Sequence, residues 1–159
     1  MEGKGRITGH TGLLALLGSP VGHSGSPAMY NYSFEKLGLD YAYVAFDIKV
    51  EEVKAALDAM RLFHMRGCNV TMPCKTEAAK YMDELSPAAR IIGAVNTIVN
   101  EDGKLIGHMT DGEGFVGNLR DHGIEIKGKK ITVAGGGGAA TAIQVQCALD
   151  GAREISIFN

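Results

Sequence analysis

Short apolar runs alternate along this chain with segments whose apolar residues recur at helical spacing. Residues 13–17 form one uninterrupted run, while Tyr30, Phe34 and Leu37 form a helical stripe. Uninterrupted runs of this length are typical of strands buried on both faces, and stripes at three- and four-residue spacing are typical of helices. Because strands and helices alternate in this way, the sequence predicts an α/β fold with two sheets.

The two predicted sheets divide the chain unequally. Residues 1–111 hold most of the strands and form a first α/β domain. Residues 112–127 form a connecting helix and turn, and residues 128–159 form a strand, a helix and a last strand. One βαβ unit of this kind cannot bury both faces of its strands. We therefore expect that the second domain is incomplete here and that the chain is part of a longer protein.

Composition excludes several classes of function. Apolar residues make up 45% of the chain and charged residues 21%, as in ordinary globular proteins, and the net charge is −2. This charge leaves no basic surface for nucleic acid. No apolar run approaches the roughly 20 residues that span a bilayer, and the N-terminus lacks the apolar segment of a signal peptide. Neither nucleic acid nor a membrane is therefore an expected partner.

The three cysteines, Cys68, Cys74 and Cys147, form no CxxC pair. An odd number without paired spacing argues against a disulfide framework and predicts a protein of the reducing cytoplasm. A zinc site at Cys68 and Cys74 would need further ligands that the sequence does not provide. No metal site is therefore predicted.

Four consecutive glycines, Gly135 to Gly138, follow the apolar run 131–134 and precede a helical segment that begins at Ala139. In a dinucleotide-binding turn, glycines let the backbone approach a pyrophosphate at the positive end of a helix. The match is imperfect, because Ala140 stands where a third glycine is expected. Asn159 occupies the position, about 20 residues on, that selects the coenzyme by binding its ribose or 2′-phosphate. A purely structural turn remains the alternative.

Ser24 and Ser26 lie on a loop that leads into a predicted helix beginning at Pro27. Hydroxyl groups at such a place can face a ligand carboxylate. A serine directly in front of a proline is also the pattern of a helix N-cap, and for Ser26 alone capping is the favoured interpretation.

Two further polar residues stand at predicted strands. Asn96 lies within the apolar run 93–100, where its amide needs a hydrogen-bond partner, and neighbouring backbone and a ligand remain alternatives. Thr71 is the last residue of the predicted strand 67–71, and this position alone does not indicate a function.

Lys75 and Asp111 could form an acid–base pair. Lysine is costly to bury, and a lysine directly after a strand needs either water or a function. Partial desolvation lowers the pKa of a lysine and a nearby carboxylate raises it, so the two together can adjust a lysine for proton exchange. A surface lysine and an N-cap aspartate remain the alternative for these two residues alone.

Four motifs occur together and in order ahead of the glycine run: Ser24-Gly25-Ser26-Pro27, Asn69-Val70-Thr71-Met72-Pro73-Cys74-Lys75, Gly93-Ala94-Val95-Asn96-Thr97 and Thr110-Asp111-Gly112. In this combination the chain closely resembles the shikimate dehydrogenase family, including its quinate/shikimate dehydrogenase branch. The resemblance covers about residues 13–159. Two positions depart from the family pattern: Gly25, where a larger residue is usual, and Met109, where an asparagine is common.

The resemblance implies an N-terminal α/β domain that binds shikimate, followed by a Rossmann-like domain that binds NADP or NAD. It implies that Lys75 and Asp111 are catalytic, with Lys75 exchanging a proton with the substrate oxygen. The other implied substrate contacts are Ser24 and Ser26 to the carboxylate, with Thr71, Asn96 and Asp111 to the ring hydroxyls. The implied coenzyme residues are Gly135, Gly136, Gly137, Gly138, Ala139 and Asn159.

Two hypotheses follow from different classes. The first is an NAD(P)-dependent dehydrogenase that interconverts 3-dehydroshikimate and shikimate, with quinate as a second candidate substrate. The second is a non-catalytic module that binds a small polyhydroxy carboxylic acid. The choice between NADP and NAD, and between a monomer and a homodimer, stays open at the level of sequence.

Overall fold

The computed structural model describes residues 7–159, so the first six residues of the predicted first domain lie outside the described residues. The chain forms the elements β1 Gly12–Gly18, α1 Ser26–Leu37, β2 Tyr41–Asp47, α2 Val53–Leu62, β3 Gly67–Val70, α3 Lys75–Ala79, β4 Glu84–Leu85, α4 Pro87–Ile92, β5 Thr97–Glu101, β6 Lys104–His108, α5 Asp111–Asp121, β7 Lys130–Ala134, α6 Gly138–Leu149 and β8 Glu154–Phe158. A 3₁₀ turn at Val50–Glu52 leads into α2.

The first sheet has six strands in the order β2-β1-β3-β5-β6-β4. β1 pairs in parallel with both β2 and β3, and β4 pairs in parallel with β6. β5 pairs antiparallel with its neighbours β3 and β6. All strands except β5 therefore run in the same direction, and their carboxyl ends meet at one edge.

Side chains alternate between the two faces of this sheet, as the pleat of a strand requires. Ala15 and Leu17 point into a cluster with α2, α3 and α4, whereas Leu16 between them packs with Phe34 and Tyr43 beneath α1. The burial of both faces explains why residues 13–17 read as a continuous apolar run.

The second sheet consists of β7 and β8, which pair in parallel on either side of α6 in the chain. A third cluster joins this unit to α5 through Val116, Ile126 and Cys147, all of which are buried. The predicted fold class is confirmed: a mixed α/β domain is followed by a βαβ unit. Within the described residues, no helix is both long and apolar enough to cross a membrane.

The helix starts differ by one residue from the simplest capping predictions. Gly25, not Ser26, occupies the N-cap of α1, and Ser26 is the first helical residue. Thr110 likewise occupies the N-cap of α5, so that Asp111 is the first residue of that helix rather than its cap. The hydroxyl of Ser26 and the carboxylate of Asp111 are therefore not used as caps.

The strand expected over 93–100 begins only at Thr97. Gly93 ends α4 in a left-handed conformation with a φ of 72°, and its N–H donates to Ala89 O at 2.8 Å. Asn96 consequently lies just in front of β5 rather than inside it.

Candidate active site at the sheet edge

The polar residues singled out in the sequence follow the carboxyl ends of the parallel strands. Ser24 and Ser26 lie in the loop and the helix start that follow β1, Thr71 follows β3, and Asp111 follows β6. Asn96 precedes the reversed strand β5 and so lies at the same edge. In open α/β sheets, this edge is where ligands bind, because the loops that follow the strands gather there.

Lys75 opens α3 and Asp111 opens α5, and the two side chains form an ion pair. Lys75 Nζ lies 2.7 Å from Asp111 Oδ2, and the side chains are 30% and 37% exposed. An ion pair this accessible to water contributes only about 0–1 kcal/mol to folding. The pair therefore matters chiefly for the ammonium and carboxylate groups that it holds together at the sheet edge.

Asn96 fixes the other oxygen of the same carboxylate. Its Nδ2 donates to Asp111 Oδ1 at 2.6 Å and to Thr110 Oγ1 at 3.1 Å, while its Oδ1 accepts from Thr110 N at 2.9 Å. Its backbone is held between two strands, because Asn96 O accepts from Val70 N and Asn96 N donates to His108 O. The amide of Asn96 thus contacts the side chains of Thr110 and Asp111 and the backbone of Thr110.

Thr71 lies where β1 and β3 end side by side. Thr71 N donates to Leu17 O at 2.8 Å, and a Cβ built on Gly18 would lie 2.7 Å from Met72 O. Gly18 has a φ of 155°, so a residue without a side chain is needed for this close approach. The approach brings the chain after β3 against the start of the loop after β1.

The two serines contact each other locally. Ser24 Oγ accepts a hydrogen bond from Ser26 N at 3.2 Å, and both residues are half-buried. Among the described residues, no hydrogen bond joins either serine to Thr71, Lys75 or Asp111. The structure thus brings Lys75, Asn96 and Asp111 into contact, and it places Ser24 in the loop after β1 and Ser26 at the start of α1, at the same edge.

Asn69 and Tyr43 support the edge from within the sheet, and sequence reasoning assigned neither a role. Tyr43 donates its hydroxyl proton to Asn69 Oδ1 at 2.8 Å, and Asn69 Nδ2 donates to Thr97 Oγ1 at 3.2 Å. Burial raises the pKa of the Tyr43 hydroxyl, so it remains a proton donor. A polar residue inside the apolar strand β3 was the available signal for this network.

The glycine run forms the turn between β7 and α6. Gly135 has a φ of 114°, and Gly137 is the N-cap of α6 and lacks a capping side chain. A Cβ on Gly137 or Gly138 would meet no atom within 4 Å, and one on Gly136 would lie 3.2 Å from Asn159 Oδ1. The first turn of α6 therefore presents backbone N–H groups without a side-chain cap, and this arrangement suits a phosphate group.

A cavity of about 460 Å³ connects the ion pair to this turn. Lys75 and Asp111 line it together with Gly138 and Ala139 of α6. Its other wall residues, several of which sequence reasoning missed, are Met72, Pro73, Thr76, Ile92, Ala94 and Met109. Most of them are apolar residues in or beside the motifs, and apolar residues there carry no sequence signal that separates a cavity wall from a core.

The three cysteines are free and buried. Burial raises the pKa of the Cys68 thiol to about 12 and raises those of Cys74 and Cys147, so the thiols stay protonated near neutral pH. Within the part of the chain that the structure describes, no cluster of histidine, cysteine and acidic residues has the arrangement of a metal site.

The fold and the site together define the class of protein. It is an α/β domain with a polar site at its strand ends, and this site faces the glycine turn of a following βαβ unit. Comparison with known families makes the assignment specific. The family model for the shikimate dehydrogenase substrate binding domain matches residues 16–98, and this chain belongs to that family.

Individual relatives agree with this assignment. A Listeria monocytogenes protein named shikimate dehydrogenase (NADP(+)) is 56% identical over 154 residues, which are 97% of this chain and 53% of the relative. A crystal structure of shikimate 5-dehydrogenase from Listeria monocytogenes, in complex with shikimate and NAD, matches with a TM-score of 0.95 and 55% identity over 98% of this chain and 54% of that one.

The same fold also occurs in a protein that is named for a different activity. A ligand-free 5-ketofructose reductase of Gluconobacter matches with a TM-score of 0.90 and 34% identity, over 94% of this chain and 54% of that one. The chain spans about half the length of the relatives that it matches.

Proposed function

We propose that the full-length protein carrying this chain is an NAD(P)-dependent shikimate dehydrogenase, which reversibly reduces 3-dehydroshikimate to shikimate. The observation that carries the proposal is the Lys75–Asp111 ion pair, which shares a cavity with the glycine turn at Gly138 and Ala139. The naming of the relatives supports the same activity. Quinate is a second candidate substrate for this site.

Lys75 and Asp111 are the proposed catalytic pair. In the direction of reduction, the Lys75 ammonium donates a proton to the carbonyl oxygen, which becomes the hydroxyl of shikimate, and in oxidation the neutral amine takes this proton back. Asp111 holds the ammonium through Oδ2, at 2.7 Å from Lys75 Nζ, and a ring hydroxyl of the substrate is its proposed second partner.

The remaining substrate contacts are assigned by position at the sheet edge. Ser24 and Ser26 would donate hydroxyl hydrogen bonds to the substrate carboxylate, and Thr71 and Asn96 would bind ring hydroxyls. Their location after β1, after β3 and before β5 supports this assignment, because these segments meet at the edge that holds Lys75.

The proposed coenzyme contacts are Gly135, Gly136, Gly137, Gly138, Ala139 and Asn159. A bound NADP or NAD would accept or supply the hydride at this site. The uncapped start of α6 would hold its pyrophosphate, and Asn159, whose side chain lies beside Gly136, would bind the adenosine ribose. The relatives include a protein named for NADP(+) and a structure containing NAD.

The proposed roles divide the chain into three parts. We propose that residues 1–111 bind the substrate, that residues 112–127 connect, and that residues 128–159 begin the coenzyme domain. Three free, buried cysteines support a protein of the reducing cytoplasm. The exposed Val44 and Phe46 on the edge strand β2 would support association into a homodimer.

The test is an assay of the full-length protein with shikimate and either coenzyme. The change in the absorbance of the coenzyme measures the rate of the reaction. The Lys75→Ala variant should lose about 10²- to 10⁴-fold in kcat, because the proton transfer then lacks its donor. Lys80→Ala is the matched control, since Lys80 pairs with Glu77 on the exposed side of the next turn, and it should keep the unaltered kcat.

Three outcomes would contradict the proposal. Lys75→Ala with most of its kcat would show that Lys75 is not the proton donor. Calorimetric binding of shikimate without oxidation by either coenzyme would favour the binding module instead. Reduction of 5-ketofructose in preference to 3-dehydroshikimate would assign the site to a neutral sugar substrate.

A further inference from the structure

The backbone of α5 touches that of α6 at Gly112, the residue directly after Asp111. Gly112 is buried, and a Cβ built on it would collide with Ala142 O and lie 2.7 Å from Gln146 Cβ. A Cβ contact that short is not found in real proteins, so any larger residue here must move one helix. The contact thus depends on the absence of a side chain at position 112.

The helix that Gly112 touches also carries the glycine turn. Gly138 begins α6, and Ala142 lies one helical turn further along the same helix. Ala142 is buried in the core cluster of the first sheet together with Met109, while Cys147 of α6 is buried against Val116 of α5. The position of α6 relative to the first domain is therefore set by close packing along this one helix.

We propose that Gly112 is a positioning residue for hydride transfer. By allowing α5 and α6 to approach at backbone distance, it places the Lys75–Asp111 pair and the start of α6 on the walls of one cavity. Asp111 and Gly112 are neighbours in the chain, so a shift of α6 away from Gly112 changes the distance between the acid–base pair and the coenzyme turn. This inference rests on the proposed function and adds a requirement for domain spacing.

The test is a Gly112→Ala variant of the full-length protein. The proposed substrate residues other than Asp111 lie at the edge of the first sheet, away from the contact of Gly112 with α6, so the Kd for shikimate should stay within about threefold of the unaltered value. The kcat should fall about 10- to 100-fold, because displacement of reacting groups by about 1 Å has effects of this size. The primary deuterium isotope effect on kcat should rise as hydride transfer becomes slower than product release.

The control is Gly114→Ala in the same helix. A Cβ at Gly114 meets no atom within 4 Å, and alanine has the higher helix propensity, so kcat and the isotope effect should stay unchanged. A purely structural role for Gly112 would lower the melting temperature without moving the isotope effect.

The two proposals fail in different ways. An unaltered protein that does not oxidise shikimate refutes the proposed function. An active unaltered protein whose folded Gly112→Ala variant keeps its kcat refutes the role of Gly112 alone. If Gly112→Ala does not fold, Ala142→Val decides, since it enlarges the buried α6 residue packed on the first domain: a lowered kcat supports the proposal and an unchanged kcat overturns it.

Discussion

Both oxygens of the Asp111 carboxylate are occupied, one by Lys75 and the other by Asn96. The carboxylate cannot rotate without losing one of these contacts, so the position of the lysine ammonium is fixed indirectly by the Asn96 amide. Both contacts reach a carboxylate that is 37% exposed, so they matter for the geometry of the pair more than for folding stability. At the residue scale, Asn96 is therefore the anchor of the proposed catalytic pair.

Asn96→Asp tests this anchor. The change replaces the donor, 2.6 Å from Asp111 Oδ1, with a second carboxylate that repels the first, and it keeps an acceptor for Thr110 N. We expect kcat to fall at least about tenfold, corresponding to roughly 1.4 kcal/mol in the barrier. Asn118→Asp on the exposed face of α5 adds the same charge and should leave kcat unchanged. Equal losses in both variants would mean that net charge, not the Asn96 contact, is responsible.

At the scale of elements, β4 is a strand that sequence patterns could not predict. Glu84 and Leu85 form a two-residue strand that pairs with β6, and two residues are too few for an alternating pattern to appear. The segment is held by Asp83, whose Oδ2 accepts from Leu105 N at 2.7 Å and from Arg61 Nη2 at 3.1 Å. These partners lie far from Asp83 in sequence, so only the folded chain reveals the strand.

The Asp83 contacts predict a pH-dependent effect on stability. The Leu105 N–H and then the Arg61 guanidinium lower the pKa of the Asp83 carboxyl. A depressed pKa in the folded state stabilises above the unfolded value of about 3.9, and this stability is lost as the pH falls through the folded value. Asp83→Asn should therefore lower the free energy of unfolding at pH 7, measured by urea denaturation, by less than about 1 kcal/mol because the side chain is 46% exposed.

A second measurement of unfolding at acidic pH separates the effect of the Asp83 charge from the effect of its packing. The difference between the unaltered protein and Asp83→Asn should narrow as the pH falls below about 4, because the carboxyl of the unfolded chain is protonated first and that of the folded protein only at its lower pKa. The exposed Asp121→Asn serves as the control and should leave the midpoint unchanged at both pH values. If the stability of Asp83→Asn were lower than that of the unaltered protein by the same amount at both pH values, the effect of Asp83 would be due to packing.

At the scale of the whole molecule, one core cluster supports the candidate site. It joins Val53, Leu57 and Met60 of α2 to the inner face of the six-stranded sheet and extends to Ala142 of α6. These side chains are about 1% exposed, and burial of each contributes about 1.5–3 kcal/mol. The sheet edge that carries the candidate site thus rests on a closely packed core, and the geometry of the site depends on that packing.

Leu57→Ala and Leu62→Ala measure the packing within one helix. Leu57 is 1% exposed and Leu62 is 71% exposed, so only the first change leaves a cavity. We expect Leu57→Ala to destabilise the protein by about 2–5 kcal/mol and Leu62→Ala by less than about 0.5 kcal/mol. Urea unfolding followed by circular dichroism makes the comparison. Similar losses in both variants would contradict the assignment of Leu57 to the core.

Local patterns in the sequence predicted most of the secondary structure and several candidate residues. Apolar runs and stripes located the main strands and helices, and the glycine run was placed correctly at the turn from β7 into α6, although the helix begins at Gly138 and not at Ala139. Lys75 and Asp111 stood out as charged residues next to element boundaries, yet by themselves they fitted a surface lysine and a helix cap better than a catalytic pair. Only the resemblance carried by four motifs singled them out as a pair.

The tertiary structure decided which of these residues meet. The contact of Lys75 with Asp111, and of Asp111 with Asn96, depends on the order β3-β5-β6 and on the register of these strands. The contact of Gly112 with Ala142 depends on the packing of two helices from different parts of the chain. Periodicity along the sequence records which side of an element is buried, but it holds no information on which distant element buries it. For this reason the sequence by itself determined the elements and the candidate residues, while the folded chain determined the shared cavity.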